Sequence, residues 1–470
     1  MSLASRMKMV KKTREVIDIH ETPVRKRVKV QEAASVERIV EKTASDTGGQ
    51  DVLDAVNRLI FGNERFRLKQ REAIEHIVQN RDVLVLFPTG GGKSLCYQLP
   101  AVLSKGVTFV VSPLLSLIQD QVVALLQKGI PCTFLNSQQK ASVIENIYDD
   151  LHRMDRLPTV KILFVTPEQL LKNSRLERAM CHLYHRQLLS RFCVDEVHCV
   201  STWGHDFRPD YQKLGEMRAK FPGVPMIGLT ATASSSIEED VKTSLRMQVN
   251  EMKTIRRSFN RANLRYSVVE KEDDKTGAEA LATYIKSWVK RSRHLTSGIV
   301  YCLTQDDTKQ LASFLVRKGV SADYYHGGMN TSDRQLVQTG WMVGKIQVIC
   351  ATIAYGMGID KKNVRFVVHF QLSKSIEGYY QESGRAGRDG KHSECVLFYN
   401  PKDVSRVKKI ITMPKKGKTR NMKERDIKKL EKVAEYCENR LQCRRQQLLL
   451  HFNEHCPIQR CNGSCDNCEK

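Results

Sequence analysis

The sequence predicts an α/β protein made of two doubly wound, parallel-sheet domains in tandem, followed by a small C-terminal helical module that binds metal. Three observations predict it. Short aliphatic and β-branched runs alternate with longer helical stretches, a glycine-rich turn follows the first such run, and cysteines crowd together late in the chain. Continuous apolar runs suit strands whose two faces are both covered by helices.

The first series of runs lies within 51–255: Val83-Leu-Val-Leu86, Val107-Thr-Phe-Val-Val111, Ile162-Leu-Phe-Val165, Phe192-Cys-Val194 and Met226-Ile-Gly-Leu229. A second series lies within 256–402: Gly298-Ile-Val-Tyr301, Gln347-Val-Ile-Cys350, Phe366-Val-Val-His369 and Cys395-Val-Leu-Phe398. Repeated strand–helix alternation of this kind makes one sheet per series. Residues 1–50 mix charges with Ser, Thr and Gly without an apolar period and read as a flexible tail. Its basic groups, Lys8 to Arg14 and Arg25 to Lys29, suit nuclear import, nucleic-acid contact or plain solvation. Residues 403–470 divide into a basic connector and the cysteine cluster; 402–430 hold twelve Lys or Arg against three acids.

Composition narrows the function. The 470 residues carry a formal charge of +24, which asks for a polyanionic partner, with nucleic acid the first candidate and an anionic membrane surface the second. No apolar run approaches the roughly 20 residues of a membrane helix, and the N-terminus lacks a signal-peptide core, so an intracellular protein is expected. Of fourteen cysteines, eight are scattered between Cys96 and Cys395 and six crowd between Cys437 and Cys468. In a reducing compartment such crowding favours metal over disulfides.

The glycine-rich turn is Phe87-Pro88-Thr89-Gly90-Gly91-Gly92-Lys93-Ser94, placed between a strand and a helix. Glycines let backbone N–H groups curl around phosphate oxygens, Lys93 can reach the β- and γ-phosphates, and the Ser94 hydroxyl can ligand Mg²⁺. Phe87 stands where the strict pattern has glycine. Downstream, Val194 leads into Asp195-Glu196-Val197-His198. An acid at a strand's carboxyl end can hold Mg²⁺, and its neighbour Glu196 can orient or deprotonate water; His198 completes this catalytic group. Phosphoryl transfer to water also needs positive charge on the transferred oxygens. Gln381-Glu-Ser-Gly-Arg385-Ala-Gly-Arg388 supplies it from the second domain, so the site closes only when the domains approach.

These residues resemble the RecQ-type DNA helicases of superfamily 2, in the eukaryotic RecQ-like branch with a DEVH box, from about Phe61 to Cys468. Phe66-Arg67-Leu-Lys-Gln70 is similar to the family's adenine-reading motif, through Arg67 and Gln70. Ser112 to Gln121 resembles motif Ia, Leu229 to Ala233 motif III, and Ala351 to Asp360 motif V. Trp203-Gly-His205-Asp-Phe207-Arg208-Pro-Asp-Tyr211 resembles the aromatic-rich loop peculiar to the family. Aromatics can stack on unpaired bases at about 1–3 kcal/mol each, although loop aromatics are commonly core pegs. The resemblance implies two RecA-like P-loop domains, ATP as cofactor, 3′-to-5′ movement on single-stranded and forked DNA in recombination and repair, and a nuclear location. It further implies strand contacts at Ser112, Thr230 and Thr352. Departures from the usual pattern are Val197 for Ala, Ala262 for Pro, and Asn63 where some members carry an adenine-stacking aromatic.

Cys443 and the Cys461-Asn-Gly-Ser-Cys465-Asp-Asn-Cys468 run can close a tetrahedral zinc site. By spacing alone Cys437, Cys456, His451 and His455 compete; the resemblance selects Cys443, Cys461, Cys465 and Cys468. In most members a winged-helix domain follows, whereas this sequence stops two residues after Cys468. ATP hydrolysis and single-strand binding are therefore expected ahead of processive unwinding. An RNA helicase of the same superfamily and a DNA-binding scaffold with a degenerate motor are the rival readings.

Overall fold

The computed structural model describes residues 52–136, 139–201, 208–231, 235–247, 252–291, 296–353, 355, 361–414, 419–454 and 461–469. The tail 1–50 with its basic groups lies outside them. Lobe 1 is a parallel sheet of β1 (Val83–Leu86), β2 (Val107–Val111), β3 (Cys132–Phe134), β4 (Ile162–Val165), β5 (Leu189–Val194), β6 (Met226–Thr230) and β7 (Lys253–Arg256), in the order β3-β4-β2-β5-β6-β1-β7. Lobe 2 is a parallel sheet of β8 (Leu264–Glu270), β9 (Ser297–Tyr301), β10 (Ala322–Tyr325), β11 (Val348–Ala351), β12 (Val364–His369) and β13 (Ser393–Tyr399), in the order β10-β11-β9-β12-β13-β8.

The apolar runs became strands because alternate side chains feed two cores. Leu84 and Leu86 join one cluster of lobe 1, with Phe109, Leu163 and Val194. Val83, Val85 and Phe87 join the other, with Ile74, Tyr97 and Ile227. A period of two on a sheet covered by helices on both faces dictates this split. Each such side chain, fully buried, contributes about 1.5–3 kcal/mol. Lobe 2 is divided in the same way.

The segment expected as a basic connector is helical and packs against lobe 2. Helices Pro401–Thr412 and Arg420–Glu438 bury Val407, Ile411, Leu430, Val433 and Tyr436 in the same cluster as Tyr266, Ile299 and Tyr379. Their lysines lie on the outer faces, and the run of charge hides an apolar stripe at helical spacing. Lys415 to Lys418 fall outside the described residues.

Because every strand pairing is parallel, the carboxyl ends of a sheet share one edge. The glycine-rich turn follows β1, Ser112 follows β2, Asp195 follows β5 and Thr230 ends β6. Ligands of open α/β sheets bind outside that edge. No helix among the described residues is long and apolar enough to cross a membrane.

One position tests the packing of lobe 2. A methyl group on Gly298 would collide with the ring of Phe366 on the neighbouring strand. Gly298→Ala should cost about 1–3 kcal/mol, and Phe366→Leu in the same chain should recover part of it. Thermal unfolding of the two variants checks this; an unchanged melting temperature for the single variant would contradict the crowding.

Candidate nucleotide and zinc sites

The glycine-rich turn is built by backbone that only glycine adopts easily. Gly90 and Gly92 have φ of 75° and 83°, and a Cβ on Gly91 would lie 2.7 Å from the Pro88 carbonyl oxygen. The turn runs straight into the helix Lys93–Leu103, so the helix N-terminus faces the cleft. Gln70 Nε2 donates to the Gly92 carbonyl at 2.9 Å, and Gln70 Oε1 accepts from Arg67 N at 2.6 Å. The Arg67 guanidinium donates to the Gly90 carbonyl. The two expected adenine readers therefore brace the phosphate loop directly. Phe87 is different: its ring is fully buried in the lobe 1 core, so the side chain cannot meet a nucleotide, and its carbonyl accepts from Lys93 Nζ at 3.2 Å. A cleft of about 310 Å³ opens beside the loop, lined by Arg67, Pro88, Thr89, Arg261, Arg388 and Asp389 among others.

The acidic pair sits where β5 ends. Asp195 N donates to Val111 O at 2.9 Å, which fixes the strand end. Glu196 follows in a left-handed turn with φ of 49°, and its N–H donates to Asp195 Oδ1 at 3.0 Å. Burial, with Glu196 alongside, pushes the Asp195 carboxyl up to about 7, while Lys93 pulls it down. Desolvation lowers Lys93 below the ordinary amine range, Glu196 and Asp195 raise it, and Arg388 lowers it further. A buried carboxyl raised in this way beside a second acid is a demand for a cation. His198 is buried, shares a 2.8 Å hydrogen bond with Thr230 Oγ1, and lies 3.4 Å from Glu196.

Lobe 2 brings the arginines. A Cβ on Gly90 would lie 3.4 Å from Arg388 Cγ, so that side chain lies against the phosphate loop of the other lobe. Arg385 is buried, with Glu382 as a nearby counter-charge. Glu382 is held by His369 Nε2 at 2.8 Å and by the Ser373 hydroxyl. Gln381 is half-buried at the end of the helix Ile376–Ser383 that presents this loop.

The expected strand contacts divide. Ser112 is buried, and its hydroxyl has no hydrogen-bond partner among the described residues. Thr352 is half-buried just beyond β11. Arg208 Nη1 donates to Pro113 O at 2.7 Å, tying the aromatic-rich segment to the motif that carries Ser112. Trp203, His205 and Phe207 lie outside the described residues. Tyr211 and Thr230 need correction: both have no exposed surface, so neither can touch a passing strand. Tyr211 donates its hydroxyl proton to the Asp195 carbonyl at 3.1 Å, and Thr230 engages His198, so both support the acidic pair from within. Arg257 and Arg261 also line the cleft; Arg257 escaped the sequence reading, and Arg261, part of the Ser258–Asn263 run that extends the resemblance, was given no role by it. Two arginines four residues apart just after the last strand of lobe 1 were the available signal.

The four thiols of Cys443, Cys461, Cys465 and Cys468 lie within 4.8 Å of one another, and the Cys443 and Cys465 sulfurs are 4.0 Å apart. Zn–S bonds of about 2.3 Å in a tetrahedron put sulfurs about 3.8 Å apart, so the cluster fits zinc as a closed, structural site. Of the competitors, His451 Nε2 pairs with Glu377 at 2.9 Å and Cys437 lies in the lobe 2 core. His455 and Cys456 fall outside the described residues. Arg444 is buried against Asp466 at 2.9 Å, between the zinc ligands.

Comparison with known proteins follows this geometry. Three family models match in order: DEAD/DEAH box helicase over 67–240, helicase conserved C-terminal domain over 278–390, and RecQ zinc-binding over 401–469. The chain is 46% identical to the RecQ-like DNA helicase BLM of Xenopus laevis over 87% of its own length and 30% of the relative's. It is 41% identical to the ATP-dependent DNA helicase Q1 of Rattus norvegicus over 88% of its length and 64% of that protein. The chain thus spans about a third to two thirds of these relatives. The fold is shared with the Mycobacterium smegmatis helicase Lhr bound to single-stranded DNA and AMP-PNP, at TM-score 0.57 and 20% identity over 75% of this chain and 48% of that one. It is also shared with Saccharomyces cerevisiae Dbp5 bound to RNA, at TM-score 0.58 and 15% identity over 83% and 98%.

Purified protein should hold one zinc per chain by elemental analysis. Cys465→Ser should lose it and melt at least about 5 °C lower, since a structural zinc contributes its binding energy to folding. A zinc-free variant melting like the parent would count against a structural site.

Proposed function

Because the chain belongs to the RecQ-type DNA helicases of superfamily 2, we propose that it is an ATP-driven 3′-to-5′ motor on single-stranded DNA that unwinds duplexes in recombination and repair. The observation that carries this reading is the meeting of Lys93 from lobe 1 and Arg388 from lobe 2 at one phosphate loop. ATP held there would bridge the lobes, and its cleavage would release them.

Each residue has a task in that cycle. The N–H groups of Gly90 to Ser94 and the Lys93 ammonium bind the phosphates, and Arg67 with Gln70 holds the phosphate loop in the shape that receives the nucleotide. Ser94 and Asp195 would hold Mg²⁺, which would supply charge neutralisation at the phosphates. Glu196 takes the proton of the attacking water, and Arg388, with Arg385 and Gln381 behind it, stabilises charge on the transferred group. His198 and Thr230 relay the state of the acidic pair toward the strand side, where Ser112, Thr352 and the 203–208 segment meet DNA. A charge of +24 favours phosphate contacts, which read backbone and not sequence. The zinc-binding family match favours DNA over RNA as the track. A nuclear location suits the basic groups between Lys8 and Lys29.

A forked-duplex assay with ATP tests the reading beside three variants. Glu196→Gln should bind ATP and DNA yet release no strand. Lys93→Ala should abolish ATP turnover. Arg388→Ala should lower kcat by about 10³-fold or more. DNA binding by the parent should weaken steeply between 50 and 200 mM salt, as counterion release requires. A parent protein that hydrolyses no ATP in the presence of Mg²⁺ and single-stranded DNA overturns the motor, and preferential stimulation by RNA overturns the choice of track.

A further inference from the structure

A second guanidinium joins the lobes. Arg261 lies in the connector between β7, the edge of lobe 1, and β8, the edge of lobe 2. Its Nη1 donates to the Thr89 carbonyl at 2.8 Å and to the Gly384 carbonyl at 3.2 Å. Its Nη2 donates to the carbonyls of Ala386 at 3.0 Å and Gly387 at 2.9 Å. Thr89 belongs to the phosphate loop; the other three acceptors belong to the loop that presents Arg385 and Arg388. Among the described residues no carboxylate pairs with Arg261, and its Nη1 lies 3.6 Å from where a Cβ of Gly90 would stand.

A guanidinium is planar, and its donors diverge at fixed angles. One such group can meet carbonyls on both loops at a single separation of the lobes and at no other. The connector around it is anchored as well. Arg445, in the zinc module, donates to Asn260 Oδ1 at 2.8 Å and to the carbonyls of Arg261 and Leu264, each at 2.7 Å. Glu454 accepts from Phe259 N at 2.6 Å and from the Ser258 hydroxyl. Three of the four acceptors of Arg261 are in lobe 2, so parting the lobes breaks the bond to Thr89 and keeps the rest.

We infer that Arg261 is a positioning residue that gauges closure: it sets the arginine loop against the phosphate loop so that Arg388 reaches the transferred phosphate once the Thr89 carbonyl is engaged. The inference rests on the ATP-hydrolysing reading above. Lysine keeps the charge but offers one nitrogen, which can satisfy either loop and not both.

With saturating single-stranded DNA and Mg²⁺, Arg261→Ala should lower kcat at least about tenfold while KM for ATP stays within about twofold, because the loss falls on a contact made in the closed state. Arg261→Lys should fall between the alanine variant and the parent. Fluorophores on non-natural residues at exposed positions 154 and 316, one per lobe, should show a smaller closed fraction with AMP-PNP and DNA in both variants. Turnover and closure equal to the parent in both variants would overturn the gauge. So would a parallel drop in kcat, ATP affinity and melting temperature, the mark of a merely structural role. If the alanine variant does not fold, the lysine variant carries the test. Failure of the parent to hydrolyse ATP counts against the motor, whereas an active parent beside equally active variants counts against Arg261 alone.

Discussion

Two cations on opposite lobes share one small loop, and the rest of the structure follows from that. Desolvation lowers Lys93, Glu196 and Asp195 raise it, and Arg388, packed against Gly90, lowers it again, so the charges of the two lobes are coupled at this loop. Under the function proposed here, a triphosphate would share its negative charge between the lysine, the arginine and a metal at the acidic pair, and loss of its terminal group would favour parting of the lobes.

From the acidic pair a chain of buried side chains runs toward Ser112. Glu196 lies beside His198, His198 bonds Thr230 at the end of β6, and Tyr211 bonds the backbone of Asp195. Arg208 then connects the stretch before Tyr211 to Pro113, next to Ser112. Such a chain has few conformations because its members are enclosed and hydrogen-bonded, so movement at the acidic pair is passed on and not absorbed.

What could be read from the residues alone divides along burial. The central strands announced themselves because both faces are covered, which forces an unbroken apolar run. β3, β7, β8 and β10 did not, and each is at or next to a sheet edge. Lys253-Thr-Ile-Arg256, for example, buries Ile255 alone, so its pattern is not that of a core strand. The two sites were legible where backbone chemistry demands particular residues, as in the glycine turn, the acidic pair and the cysteine spacing. Tyr211 and Thr230 were misjudged because a motif gives neighbourhood and not orientation. Arg261 stands in the Ser258–Asn263 run that extends the family resemblance, but its role was not legible because its acceptors are main-chain carbonyls, which leave no signature in the residues that own them.

The zinc loop adds a pairing that reaches far back along the chain. Cys465 forms a parallel bridge with Tyr266, Asp466 N donates to the Tyr266 carbonyl at 3.2 Å, and Asp466 Oδ2 accepts from Val268 N at 2.9 Å. This covers the open side of β8, a sheet border whose free amides would otherwise invite association with other chains. The covering residues are synthesised about two hundred positions later, and a contact so distant in sequence forms late. During translation this border of lobe 2 therefore stays uncovered until the zinc-site cysteines have left the ribosome.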